Sequence, residues 1–161
     1  MRDPSGDVLR PSVVDRLLSS SQRDGAAHGT SVRELRQSVA RDLEWLLNTR
    51  VWTPWEGFER LEEARASILN YGMPELSKYS WSAPQDARSI AGLIEKAVRT
   101  FEPRLLSRSV KCEVLPSQGI EDFSLRIRIE AILHVDPISE PVAFDTSFDF
   151  EGGGLRIESF E

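Results

Sequence analysis

Between Ser31 and Phe101 the apolar residues recur at three- and four-residue spacing, and from Val110 onward they recur at two. The first period belongs to helices with one buried face, the second to half-buried strands. Val32, Leu35, Val39, Leu43, Leu46 and Leu47 form one stripe, and Ser31 with Glu34 opens it in the pattern of a capping box. Trp45 lies well off that stripe, so it either covers a neighbouring helix or stands on the surface as an anchor. Leu61, Ala64, Ile68 and Leu69 predict a second helix from near Glu59, stopped by Gly72 at a left-handed C′ position and by Pro74. Ile90, Leu93, Ile94, Ala97, Val98 and Phe101 predict a third helix, with Ser82 and Gln85 as its capping box, Pro84 in its first turn and Pro103 as its stop.

The strands follow. Val110, Cys112 and Val114 alternate with polar residues, as do Phe123 through Val135 and, after a turn at Asp136-Pro137, Val142 through Phe150. Gly152-Gly153-Gly154 turns the chain into a last short strand carrying Leu155 and Ile157. Helices first and strands last imply an α+β single domain, with about three helices on one face of a mostly antiparallel sheet of about four strands. The outer face would carry Arg126 and Arg128 beside Asp145, Asp149 and Glu158, a solvated surface of cross-strand ion pairs. The last strand is an edge whose N–H and C=O groups another chain can extend, with Arg156 and Glu158 guarding against indiscriminate pairing.

Two stretches stand outside this pattern. Trp52, Trp55 and Phe58 fall among Pro54 and Gly57, which predicts an irregular loop whose aromatic surface either folds inward or waits for another subunit. Residues 1–30 have linker composition and predict a flexible arm ahead of a domain at 31–161. Within the arm Val13, Val14, Leu17 and Leu18 flank Asp15 and Arg16 at helical spacing, in a piece too short to form an isolated helix. It either folds back on its own domain or orders on a partner.

A net charge of −6 argues against binding to a phosphate backbone, so nucleic acid is not an expected partner. Cys112 is the lone cysteine and, with His28 and His134, offers dissimilar contexts rather than a zinc site, so no cofactor or metal is expected. Without an apolar leader or a bilayer-length apolar run, the chain reads as cytoplasmic.

The organising stretch is Phe101-Glu102-Pro103-Arg104, where the third helix must end. Glu102 sits at a helix C-terminus, whose carbonyls repel a carboxylate by up to about 1 kcal/mol, so something must hold it. Two readings stand: an intrachain pair with Arg104 or another arginine, or a rigid docking tripeptide presenting two opposite charges to a partner. A catalytic role is not expected, because the chain has no phosphate loop or nucleophile elbow, and a carboxylate beside Arg104 is paired rather than poised to donate a proton.

Phe101-Glu102-Pro103-Arg104-Leu105 resembles the Glu-Pro-Arg signature of the TssE family, the baseplate wedge subunits of type VI secretion, related to wedge proteins of contractile phage baseplates. Further pieces fit in order: Asp15-Arg16-Leu17, Asp42 to Arg50, Ser67 to Pro74, and the closing strands. The resemblance implies a structural adaptor that binds TssF and TssG in the wedge and links it to the TssB/TssC sheath, with TssK and the VgrG hub as further candidate neighbours. It assigns docking to Glu102, Pro103 and Arg104, and to Asp15, Arg16, Leu17 and Leu18 of the arm. It assigns sheath attachment by strand addition to the closing strands, with Leu155 and Ile157 on the last of them. An equivalent wedge subunit of a phage tail or injection particle is the alternative, and a lysozyme-like hydrolase a remote one.

Overall fold

The computed structural model describes residues 32–51, 58–80, 83–116, 124–135, 138–149 and 154–160. The expected stripe folds into helix α1, Val32–Asn48, with Leu35, Val39, Leu43, Leu46 and Leu47 all buried. Trp45 is on the surface, 48% exposed. The Arg41 guanidinium lies 5.1 Å from its ring centroid. Ser31, the expected cap, and the loop tryptophans Trp52 and Trp55 lie outside the described residues, whereas Phe58, at the end of that loop, is buried.

The second expected helix does not form as one piece. A 3-10 turn at Phe58–Arg60, the four-residue helix α2 at Glu62–Arg65 and a second 3-10 turn at Ile68–Asn70 replace it. Leu61, Ile68 and Leu69 are exposed, Ile68 to 85%, so the apolar spacing there does not mark a buried face. Polar side chains break the helix by capturing its carbonyls: Ser67 Oγ donates to Ala64 O (2.7 Å) and Asn70 Nδ2 to Arg65 O (2.8 Å). Gly72 does adopt positive φ, +121°, but for close approach rather than to cap an α-helix. A Cβ there would lie 2.4 Å from Thr49 O. That closeness lets the chain pair with the end of α1, through Met73 N–H to Thr49 O (2.8 Å) and Val51 N–H to Met73 O (3.0 Å).

Helix α3 spans Pro84–Phe101 and buries Ala87, Ile90, Ala91, Ile94, Ala97 and Val98. Its N-cap is Ala83, with no side-chain cap, one residue later than the expected Ser82. Asp86 in the first turn instead accepts the N–H of Ser80 (2.8 Å). At the other end Phe101 packs edge-on against Tyr71, ring centroids 5.4 Å apart.

The strands β1 (Lys111–Val114), β2 (Ser124–Val135), β3 (Ile138–Asp149) and β4 (Gly154–Phe160) form one antiparallel sheet in the order β1-β2-β3-β4. Its inner face presents Leu125, Ile127, Ile129, Leu133, Val142, Phe144 and Leu155, all buried. Thr146 is buried on the same face, and its hydroxyl donates to Ile127 O (2.8 Å), which satisfies a polar group in an apolar layer. Helix α1 packs over β4 and α3 over β1, so both long helices cover this one face. The cover thins along the edge strand β1: Val110 just before it is buried, Cys112 is half-buried, and Val114 is exposed instead of taking its expected inward place. On the outer face Arg128 donates to Asp145 through Nε (2.6 Å) and Nη2 (2.8 Å), one of the expected cross-strand pairs. Pro141 is tolerated inside β3 because β4 pairs only with Phe144 to Asp149 and leaves the start of β3 without that neighbour.

Candidate functional site

Helix α3 ends at Glu102, whose N–H still bonds Val98 O (3.0 Å) while its φ of −110° and ψ of 88° leave the helix. Pro103 then occupies an exposed turn. Arg104 folds back: Nε donates to Glu102 Oε1 (2.8 Å) and Nη2 to Oε2 (2.6 Å), a two-pronged clamp. Its own N–H adds a third bond to Oε1 (3.1 Å). Only 4% of Glu102 is exposed, so the carboxylate at the unfavourable helix end is held by these donors rather than by water.

The same guanidinium reaches α1. Nη2 donates to Asp42 Oδ2 (2.6 Å) and Nη1 to Ser38 Oγ (3.1 Å). Arg41 completes the group, with Nη2 donating to Asp42 Oδ1 (3.2 Å) and to Ser38 Oγ (3.3 Å). Two carboxylates thus face two guanidiniums across the α1/α3 junction. Burial alone would lower the pKa of Arg104, but bonding to Glu102 and its charge, then Asp42, outweigh that and raise it. Nearby, burial pushes the Tyr71 hydroxyl above 10.0, with the charges of Asp42 and Glu102 adding to the shift.

The backbone of the motif is also fixed. His134 N–H bonds Arg104 O (2.8 Å) and Leu106 N–H bonds Ile132 O (2.8 Å), so the residues after Pro103 run antiparallel to the end of β2. Glu102, Pro103 and Arg104 therefore join α1, α3 and β2 at one point. Of the two sequence readings, the intrachain pair is present, and Pro103 together with the one-fifth of the Arg104 side chain left exposed is the part that faces solvent. Sequence reasoning did not single out Ser38 and Arg41 for this network. The available signal was the position of Ser38 one turn before Asp42, interrupting an otherwise apolar face, with Arg41 directly beside Asp42 in the chain.

The second candidate surface is the β4 edge. Leu155 is buried and Ile157 half-buried, both directed to the core side. The main-chain groups of Leu155 are not open, as a free edge would have them. Its N–H donates to Asn48 Oδ1 (2.8 Å), and its C=O accepts from Asn48 Nδ2 (2.7 Å). Strands β3 and β4 also slip register at Asp145/Thr146.

Asp15, Arg16, Leu17 and Leu18 lie outside the described residues. Cys112 packs against the core, and its thiol is pushed up to about 12, by burial first and Glu95 second, against the opposing charge of Arg99. Among the described residues no group of three or more His, Cys, Asp or Glu side chains could hold a metal ion, and no helix is long and apolar enough to cross a membrane.

A family model described as baseplate wedge protein gp25 matches residues 33–138, from the first turn of α1 to the start of β3. Comparison with curated proteins and with solved structures yields no match. The matched span is well over half the chain and contains the whole Glu102–Arg104–Asp42 network, and the four-stranded α+β fold agrees with the resemblance read from the motifs. The chain belongs to the baseplate wedge family, which takes in TssE and the wedge proteins of phage baseplates.

Proposed function

We propose that this protein is a TssE-type wedge subunit of a type VI secretion baseplate, a cytoplasmic adaptor that binds TssF and TssG and links the wedge to the TssB/TssC sheath. The observation that carries it is the Glu-Pro-Arg turn, built as a rigid corner between α1, α3 and β2 with its charges held from within. A corner fixed in this way presents Pro103 and the exposed edge of Arg104 without an ordering cost on binding. The network prepares the surface, and Pro103 with Arg104 makes the contact. The arm segment Asp15-Arg16-Leu17-Leu18 supplies a second attachment, by ordering its apolar side chains on the partner at an entropic cost of about 1–2 kcal/mol per residue. The closing strands, through the β4 edge, offer the sheath a template for strand addition. TssK and the VgrG hub would be neighbours in the same assembly.

The test is a pull-down with co-expressed TssF and TssG from the same source, comparing tagged wild type with Pro103→Glu. That substitution alters the exposed turn and leaves the Glu102–Arg104–Asp42 clamp in place. Retention by wild type and loss by a variant of unchanged melting temperature supports docking at this corner. Retention by both refutes the assigned site. Failure of wild type to retain either protein overturns the secretion reading in favour of a phage tail, as capsid genes beside this one would.

A further inference from the structure

The outer edge of β4 is occupied where it leaves the end of α1. The carboxamide of Asn48 meets Leu155 as a neighbouring strand would, accepting its N–H at 2.8 Å and donating to its C=O at 2.7 Å. These two residues are 107 apart in sequence, so the pairing is purely tertiary. The amide is not free to swing away, because Nδ2 also donates to Glu44 O (2.8 Å), one turn back along α1. Its orientation is unambiguous: reversing it would set an oxygen against two carbonyls and a nitrogen against an N–H. The approach does not depend on Gly154, the residue before, since a Cβ there would make only an ordinary contact, 3.6 Å from Asn48 Oδ1.

We propose that Asn48 is an edge guard: a one-residue substitute strand that closes the Leu155 end of β4 and confines an added extended peptide to the part beginning at Ile157. A residue whose N–H and C=O both point outward is followed by the next such residue two positions on, which is Ile157. The occupant of that open part is an extended segment of a partner chain, recognised through main-chain hydrogen bonds. The same device suppresses indiscriminate pairing, in the way charged side chains or covering loops protect other edges. The confinement rests on the strand-addition reading above; the guard itself does not.

Amide hydrogen exchange on the full chain separates the two. In the free protein Asn48→Ala should speed exchange at Leu155 by roughly two- to tenfold, the range one net hydrogen bond commands, and leave Ile129 in the central strand unchanged. Asn48→Asp keeps the acceptor and loses both donations, so it should protect the Leu155 amide more than Ala does. Unchanged exchange at Leu155 in Asn48→Ala overturns the guard. With co-expressed TssB and TssC bound, new protection at Ile157 and none beyond the existing level at Leu155 supports the confinement. New protection spreading through Leu155 overturns it. Protection at neither refutes strand addition at this edge and the confinement with it, while the free-chain result still decides the guard.

Discussion

Replacing Arg104 by Ala removes four side-chain hydrogen bonds at once, three of them to carboxylates. Glu102 would lose both guanidinium donors and keep only the Arg104 N–H, at 3.1 Å. Asp42 would lose its 2.6 Å contact but keep Arg41, and Ser38 would keep one of its two donors. The severe loss therefore falls on Glu102, which is 4% exposed and cannot turn to water. Removing one partner of a buried pair costs about 3–5 kcal/mol, and the one-fifth exposure of Arg104 places this case near the low end, about 3 kcal/mol. For a chain of this size each kcal/mol moves the midpoint by about 2–4 °C, so Arg104→Ala should melt about 6–12 °C below wild type. Arg104→Lys retains charge but not the fork that spans Glu102 and Asp42, and should fall between the two. The assay is thermal unfolding by circular dichroism, repeated for Glu102→Ala and for the double variant, whose loss should be smaller than the sum of the singles by about 1–3 kcal/mol. A loss below about 1 kcal/mol for Arg104→Ala, the range of an exposed pair, would refute the claim that this clamp holds the corner together.

Three further outcomes follow from the same geometry. Gly72→Ala should destabilise by at least about 2 kcal/mol in denaturant unfolding, because its Cβ would lie 2.4 Å from Thr49 O at a φ that L residues rarely adopt. Ile68→Asp should change stability by less than about 0.5 kcal/mol, since the side chain is exposed; a loss above about 2 kcal/mol would mean that Ile68 belongs to a core face after all. The Cys112 thiol titrates near 9.0 when unfolded and is pushed up to about 12 by the fold, so the folded state holds its proton more tightly. Its contribution is whole below pH 9 and is lost as pH rises toward about 12. Tyr71, raised from 10.0, adds loss in an overlapping window, so Cys112→Ala should decline less steeply than wild type in alkaline denaturant titrations, and an identical slope would contradict the burial of the thiol.

The sequence alone determined the elements whose pattern is long and whose burial is one-sided. The stripe from Leu35 to Leu47, the stripe from Ile90 to Phe101, and the alternation from Leu125 to Leu133 each repeat often enough that no other structure buries them as well. It also placed a problem at Glu102, since a carboxylate at a helix C-terminus needs a donor, and Arg104 two residues on was the nearest. It overreached at Leu61, Ile68 and Leu69. Few apolar residues at helical spacing do not make a helix when Ser67 and Asn70 compete for its carbonyls and no neighbour covers the face. What only the tertiary structure decided are the contacts between distant segments: Arg104 on Ser38 and Asp42, Gly72 against Thr49, and Asn48 against Leu155. Local periodicity records which face of an element avoids water, because that preference is shared by every residue along it. A hydrogen bond between single groups far apart in the chain leaves no repeating trace, so these contacts exist only once the helices have settled on the sheet and fixed which polar groups meet.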